Sequence, residues 1–311
     1  MTRRTSFSLL AAVGVIAVFA SGAVARASTT RTYWVAAVPT TWNVVPNEKD
    51  AIGGMMYDPA QTVFPTVVYR RYSAHWRKPI ANAPRSATDG GVIPGPLLHA
   101  RVGDRIVVHF KNMDTLRHDP HSMHFHGVFY RPSSDGAYVP GFSGEDADVK
   151  PGQTWTYRLR AAKDSAGVWP YHDHSPSMMD SLAGGLYGEL SIFRKHEKPP
   201  DREFVVFFTM LHGFMTVDGR AFVGNTPIFR AKVGQRVQWD VLTLGDDFHT
   251  FHVHGHRWVG PGGIPQDTKT VGPAESFRVQ WREDNPGTWL YHCHVEQHMM
   301  DGMIGLYRVS R

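Results

Sequence analysis

The chain has 311 residues, 42% of them hydrophobic and 20% charged, with plentiful aromatics, Gly and Pro and no low-complexity run. That supports one large domain or two of ordinary size and excludes a disordered chain. The formal charge of +5 implies no nucleic-acid footprint, because removing the first 27 residues deletes three arginines and no acid, leaving +2.

The chain opens with Arg3 and Arg4, then the apolar run SLLAAVGVIAVFASGAVA, then Ala25-Arg26-Ala27. A basic start, an apolar stretch and a small-x-small end predict a signal peptide over residues 1–27, cleaved near Ala27. The run is short for a membrane span. The mature protein is therefore expected outside the cytoplasm, periplasmic or extracellular, by a Sec or Tat route that RRTSF leaves open.

Beyond the leader, short alternating runs are broken by Gly and Pro. RVGDRIVVHF (101–110), TWTYRLRA (154–161), REFVVFFTM (202–210), AKVGQRVQWDVL (231–242) and SFRVQW (276–281) all read as strands. The same order recurs twice. GVIPGPLLHARVGDRIVVHFKN, HSMHFHG, PGQTWTYRLR and GVWPYHDH make one unit. AFVGNTPIFRAKVGQRVQWDVL, HTFHVHG, GPAESFRVQW and GTWLYHCH make the second. The expectation is an all-β protein of two homologous β-sandwich domains, 28–195 and 203–311, joined near HEKPPDR. The first carries an extra N-terminal stretch from TYWVAAVPTTWNVVP to VVYRRYSAHWRKP.

Ten of the 18 histidines fall in four clusters: His124 and His126, His172 and His174, His249 with His252 and His254, and His292, His294 and His298 around Cys293. Residues two apart on a strand share a face, so each HxH pair aims two imidazoles at one point. Ten histidines overshoot a closed structural zinc site. The only cysteine of the chain, in an exported protein, needs an occupant, and metal is the obvious one. His249, Cys293 and His298 supply two nitrogens and a thiolate, and Met303 can sit axially. That donor set describes a blue-copper electron-transfer centre. The eight remaining imidazoles, four from each domain, suit several coppers close together where a first and a second domain meet.

These four motifs resemble those of the multicopper oxidases, which include laccases, ascorbate oxidase and ceruloplasmin. With two domains the chain is similar to the two-domain "small" laccases, and its N-terminal part resembles a ceruloplasmin-type domain. The resemblance implies cupredoxin-like Greek-key sandwiches and four coppers per functional unit. It matches His249, Cys293, His298 and Met303 to the type 1 copper, and His124 and His252 to type 2. It matches His126, His172 and His294 to one type 3 copper, and His174, His254 and His292 to the other. It also implies a homotrimer whose cluster lies between neighbouring subunits.

The implied activity couples one-electron oxidation of phenolic or aromatic amine donors to four-electron reduction of O2 to water. The alternatives are a metal-ion oxidase for Fe(II) or Cu(I) with the same copper sites, and a copper nitrite reductase. The last family keeps its cysteine in the first domain, and a non-catalytic copper-storage protein would not need the linkage at 292–294. No nucleic-acid or membrane partner is expected for the mature form.

Proton and electron supply is expected from Tyr130 and Asp135 near type 2 copper and from Asp267 near the type 3 pair. In the first domain His121, Asp173, Met178 and Ala183 stand where the second has His249, Cys293, His298 and Met303, so no blue-copper site is expected there. His121 reads as a remnant or structural histidine, and His256 as a support to a ligand. Met178, Met179, Met299 and Met300 read as packing.

Overall fold

The computed structural model describes residues 29–311, so the predicted leader lies outside the described residues. The described chain is mostly strand, and its longest helix, Met178–Gly184, has seven residues. No described helix is long and apolar enough to cross a membrane.

The first half has nine strands: β1 (Thr30–Asn43), β2 (Val63–Tyr72), β3 (Leu98–Arg101), β4 (Arg105–Asn112), β5 (His124–Phe125), β6 (Phe129–Tyr130), β7 (Thr154–Arg160), β8 (Gly167–His172) and β9 (Tyr187–Phe193). They form sheets ordered β2-β1-β4-β7-β6 and β3-β9-β8-β5. The second half has β10 (Arg202–Leu211), β11 (Phe214–Val217), β12 (Ile228–Lys232), β13 (Arg236–Thr243), β14 (His249–Val253), β15 (Trp258–Val259), β16 (Pro265–Gln266), β17 (Thr268–Val271), β18 (Ser276–Arg282), β19 (Gly287–Cys293) and β20 (Ile304–Ser310). Its main sheets are ordered β11-β10-β13-β18 and β12-β20-β19-β14-β17. The N-terminal stretch becomes β1 and β2, and β1 runs parallel to β4, widening the first sheet.

Strand parity explains the burial. In β4, Ile106, Val108 and Phe110 point into the first core and their neighbours alternate outward. Strands β9 and β13 are buried on both faces, because one sheet of each domain packs against the other domain. Val237, Trp239 and Val241 face their own core. Leu242 joins a third core with Val168, Tyr187, Val205 and Phe207, drawn from both domains. Each such side chain buried contributes roughly 1.5–3 kcal/mol, so this seam holds the two sandwiches together. Ser276 Oγ donates to the Val168 carbonyl at 2.5 Å across it.

Two runs read from sequence as single strands are each two. RVGDRIVVHF turns at Gly103 and AKVGQRVQWDVL at Gly234, where φ is 97° and 87°. Those left-handed positions favour glycine and send the chain from one sheet of the sandwich to the other.

Candidate metal centre

Strand register assembles the histidines. On β14, His249, Phe251 and Val253 are buried toward the core while Thr250 and His252 alternate outward. Phe251 is paired with Cys293 and His252 with His292 across β14 and β19. Directly paired residues share a face, so Cys293 and His249 turn inward while His252, His254 and His292 turn to the other side. The same register recurs in the first half, where His124 is paired with His172.

On the inner side Cys293 Sγ lies 3.8 Å from His249 Nδ1 and 3.7 Å from His298 Nδ1, with the two nitrogens 3.2 Å apart. One ion with metal–sulfur near 2.3 Å and metal–nitrogen near 2.0 Å separates sulfur from nitrogen by roughly 3.5–3.8 Å at tetrahedral to trigonal angles. The three groups therefore fit a single ion. Cys293 and Met303 are fully buried and packed in the same core, and Cys293 N–H donates to the Met303 carbonyl at 3.0 Å. The backbone N–H of Thr250 donates to Sγ at 3.3 Å. Burial pushes the Cys293 thiol up and lowers His249 to about 4. A soft cation that displaces the thiol proton meets neutral imidazole.

On the outer side, two sets repeat each other. His126 Nε2 and His172 Nε2 are 3.2 Å apart, and His254 Nε2 and His292 Nε2 are 3.1 Å apart. Each set has a third histidine, His124 or His252, whose ring sits edge-on or tilted to the pair with centroids 5.1–5.5 Å apart. His174 lies beside His124 and His172, and His294 beside His252 and His292. Four rings are oriented by backbone carbonyls: Nδ1 donates to Asp135 O at 2.7 Å from His124, to Asp173 O at 2.9 Å from His172, to Asp267 O at 2.7 Å from His252, and to Cys293 O at 2.9 Å from His292. That fixes the tautomer and leaves Nε2 free to bind metal. Burial, then neighbouring imidazoles, lowers His126 to about 4, and burial is the chief cause that lowers His172 to about 3 and His292 to about 4. These rings are neutral and ready to bind a cation. Among the described residues no close ring pair joins the first-half set to the second-half set, and the ligand groupings stay as separate triplets.

Cys293 thus serves both sides. Its sulfur faces His249 and His298, while its carbonyl accepts from the ring of His292. The backbone link from sulfur to imidazole is covalent through one residue and closed by one hydrogen bond.

In the first half, charge replaces metal. His121 Nδ1 lies 3.2 Å from Asp173 and its Nε2 3.3 Å from Asp114, all buried. Burial opposes the charged ring, but hydrogen bonds and charge from Asp173 and Asp114 outweigh it and raise His121. His121 is a structural cation between two carboxylates. His256 holds the His254 carbonyl through Nδ1 at 2.7 Å and reaches Glu283 through Nε2 at 2.9 Å, so it supports a ligand.

Tyr130 lies 6.2 Å, ring to ring, from His124, and Asp135 Oδ1 is 3.4 Å from His124 Nδ1. Burial and the Asp135 charge push Tyr130 up to about 12. The Asp267 carbonyl accepts from His252, whose ring centroid lies 5.2 Å from that of His254 and 5.4 Å from that of His292. Of the four methionines read as packing, Met178 and Met299 are half-buried, whereas Met179 is 63% and Met300 54% exposed and depart from that reading.

A family model described as "Multicopper oxidase" matches residues 75–197, and a second with the same description matches 196–311. The chain belongs to the multicopper oxidase family. Members of this family are copper-dependent oxidoreductases that use O2. Its relatives include human "Ferroxidase HEPHL1", 29% identical over 90% of this chain, and mouse ceruloplasmin, 28% identical over 90%. The chain spans 29% and 31% of the length of those two relatives. Among solved structures, a multicopper oxidase superposes with a TM-score of 0.69 at 24% identity, covering 92% of this chain and 93% of that one. A blue copper oxidase from Nitrosomonas europaea gives 0.68 at 24% identity, covering 90% and 86%. A copper nitrite reductase from the same organism gives 0.65 at 19%, covering 90% and 95%. The fold is cupredoxin-like and is shared by oxidases and nitrite reductases alike, so it does not separate those activities.

Proposed function

We propose that the protein is an O2-reducing multicopper oxidase with one type 1 centre and a three-copper cluster per functional unit. His249, Cys293, His298 and Met303 hold the type 1 ion. The eight outer histidines hold the cluster, with His124 and His252 on type 2, His126, His172 and His294 on one type 3 ion, and His174, His254 and His292 on the other. Bound copper supplies one-electron uptake at the thiolate and four-electron reduction of O2 at the cluster. The protein's part is to fix ring tautomers through backbone carbonyls, to keep the imidazoles neutral by burial, and to join the two sites through Cys293. The single observation that carries this reading is the pairing of Cys293 with Phe251 and of His292 with His252, which turns adjacent residues of one strand into ligands of different sites. The cysteine lies in the second domain, and both domains carry full histidine sets, which argues against a nitrite reductase.

Two separate half-sets support a cluster closed between copies, the first domain of one meeting the second domain of its neighbour, in a homotrimer of exported chains. Asp135 is the proposed proton relay and Tyr130 an electron or proton donor beside His124, and Asp267 acts from the His252 side. For the donor we favour a metal ion over the phenols and aromatic amines expected from sequence, because relatives spanning 90% of the chain bear the name ferroxidase. Oxygen uptake by copper-loaded protein with Fe(II), Cu(I), Mn(II) and a phenol panel tests this. Turnover with metal ions at micromolar KM supports it. Turnover with phenols alone replaces the metal-ion reading with the laccase one.

A further inference from the structure

Strand parity gathers a polar patch inside the seam between the two domains. On β9, Leu190 and Ile192 face the first core and Tyr187 faces the seam, so Glu189 and Ser191 face the seam as well. By the same rule Glu203 shares the seam face of β10 with Val205 and Phe207, and Asp240 shares that of β13 with Leu242. Arg278 on β18 is the direct cross-strand partner of Asp240. One oxygen each of Glu189, Glu203 and Asp240 lie within 4.8 Å of one another. Glu189 and Asp240 are fully buried.

Two of these carboxylates are satisfied. Glu203 accepts from His99 Nε2 at 2.8 Å, Ser191 Oγ at 3.0 Å and Gln238 Nε2 at 3.1 Å. Asp240 accepts from Arg278 Nε at 2.8 Å and Nη2 at 3.1 Å, and from Gln238 Nε2 at 2.8 Å. Glu189 has no hydrogen-bond partner on either oxygen. Three carboxylates thus share one guanidinium, and a buried carboxylate without a partner is strongly unfavourable. A proton on Glu189 would let one oxygen reach Asp240 and leave the other bare, whereas a divalent ion takes both. Oxygen donors without nitrogen or sulfur suit hard ions. Oxygens bound to one Ca2+ at roughly 2.3–2.6 Å lie no more than about 5 Å apart, and Mg2+ keeps several waters that a buried patch does not accommodate. The ion has a way in. A cavity of about 270 Å³ is lined by His99, Glu203 and the linker residues Pro199 and Pro200. The two guanidiniums on that cavity are held elsewhere, Arg31 by Asp104 and Arg101 by the Arg194 and Glu197 carbonyls.

We propose that Glu189, Glu203 and Asp240 form a calcium site that ties the two domains together. Both oxygens of Glu189 reach the ion from the first domain, and one oxygen each of Glu203 and Asp240 from the second. Ser191 Oγ, 3.0 Å from Glu203 and 3.5 Å from Asp240, adds a neutral donor. In the ion-free protein burial, then the charges of Asp240 and Glu203, push Glu189 well above the ordinary carboxylate range, and Arg278 opposes them too weakly. Glu189 therefore holds a proton when the ion is absent, and Ca2+ displaces that proton on entry. The charged groups facing Glu189 are Glu203 on β10, Asp240 on β13 and Arg278 on β18, with His99 of β3 behind Glu203.

The test titrates Ca2+ into copper-loaded protein, freed of other divalent ions, by calorimetry, and counts bound calcium by elemental analysis. Wild type should bind one more Ca2+ per chain than Glu189→Gln, with a Kd of about 1 mM or tighter. The affinity for that ion should rise with pH, because its binding releases a proton. Calcium at one hundred times Kd should favour the folded state of wild type by about a hundredfold in the unfolding equilibrium, and that of the variant less than threefold. In calcium-free buffer the variant should be at least as stable as wild type, which separates a lost ion from a damaged fold. Mg2+ should compete at least tenfold more weakly than Ca2+. Equal calcium counts and equal stabilisation in wild type and Glu189→Gln would overturn the site. Wild type that takes up no Ca2+ at about 1 mM would overturn it whatever the variant does.

Discussion

Glu283 offers the sharpest quantitative prediction. The residue is 1% exposed and is linked through His256 to the backbone carbonyl of His254. Its carboxylate accepts from His256 Nε2 at 2.9 Å, Trp281 Nε1 at 3.0 Å, Tyr307 OH at 2.5 Å and the backbone N–H groups of Asp284 and Asn285 at 3.1 Å each. Burial alone would raise it, yet these hydrogen bonds, led by His256 and Tyr307, hold it at about 2. Against an ordinary 4.5 that corresponds to roughly 3 kcal/mol of preference for the charged form, or about 2 kcal/mol after a discount for screening. Glu283→Gln keeps the shape but turns one acceptor into a donor. If the amide nitrogen faces Tyr307 and Trp281, those two donors lose their acceptor, and if it faces His256, the donors His256 Nε2 and the backbone N–H groups of Asp284 and Asn285 lose theirs. The expected destabilisation is about 2–4 kcal/mol at pH 7. It is read from guanidinium unfolding of copper-free protein, which removes any contribution from metal binding. Because the folded pKa is depressed, this stabilisation is present above the unfolded value near 4.5 and fades as pH falls toward 2. The gap between wild type and variant should therefore be flat from pH 8 to pH 6 and close below pH 4.5. A gap under 1 kcal/mol, or one that does not narrow in acid, would refute the assignment of Glu283 as a buried acceptor hub.

Three further outcomes are expected. Asp135→Asn should slow oxygen reduction by tenfold or more in stopped-flow reoxidation while the rate of blue-copper reduction by donor stays within twofold, and equal turnover would remove Asp135 from the proton path. His121→Ala leaves Asp114 and Asp173 buried without their cation and should cost about 3–5 kcal/mol in denaturant unfolding. Since His121 is raised in the folded state, that loss should be fully present below about pH 6.5 and fade as pH climbs through the folded value. Glu189, buried and with neither carboxyl oxygen bonded, is pushed well above the ordinary range by burial and by Asp240 and Glu203. Glu189→Gln should therefore raise stability by about 1 kcal/mol at pH 8, where the native carboxyl pays for staying protonated or buried charged, and the gain should vanish near pH 4.

Much of the site was legible because strands impose a period of two. Histidine at 252, 254, 292 and 294 with cysteine at 293 predicts opposite faces from the sequence alone, and β14 and β19 pair His252 with His292 and Phe251 with Cys293. The repeat made the first domain legible in the same way, including the loss of its cysteine to Asp173. What could not be read is what depends on distant segments meeting. Gly103 and Gly234 sit inside unbroken strand-like runs, and only the sandwich shows that each run changes sheet there. Nothing local ties Glu189 to Glu203, or either to Asp240, because these lie on three strands from two domains. That Asp267 meets His252 through its backbone carbonyl carries no signal in the sequence either.

The central claim is that Cys293 joins an electron-entry copper to an oxygen-reducing cluster. The most direct measurement is to load the protein with copper, reduce it fully without oxygen, mix it with O2 in a stopped-flow instrument and follow the blue band, in wild type and in Cys293→Ser. The account predicts that wild type recovers its blue band within seconds and consumes one O2 per four electrons, while Cys293→Ser has no blue band and loses steady-state turnover with every donor. A wild-type protein that stays reduced in air, or a Cys293→Ser variant that turns over as wild type does, would contradict it.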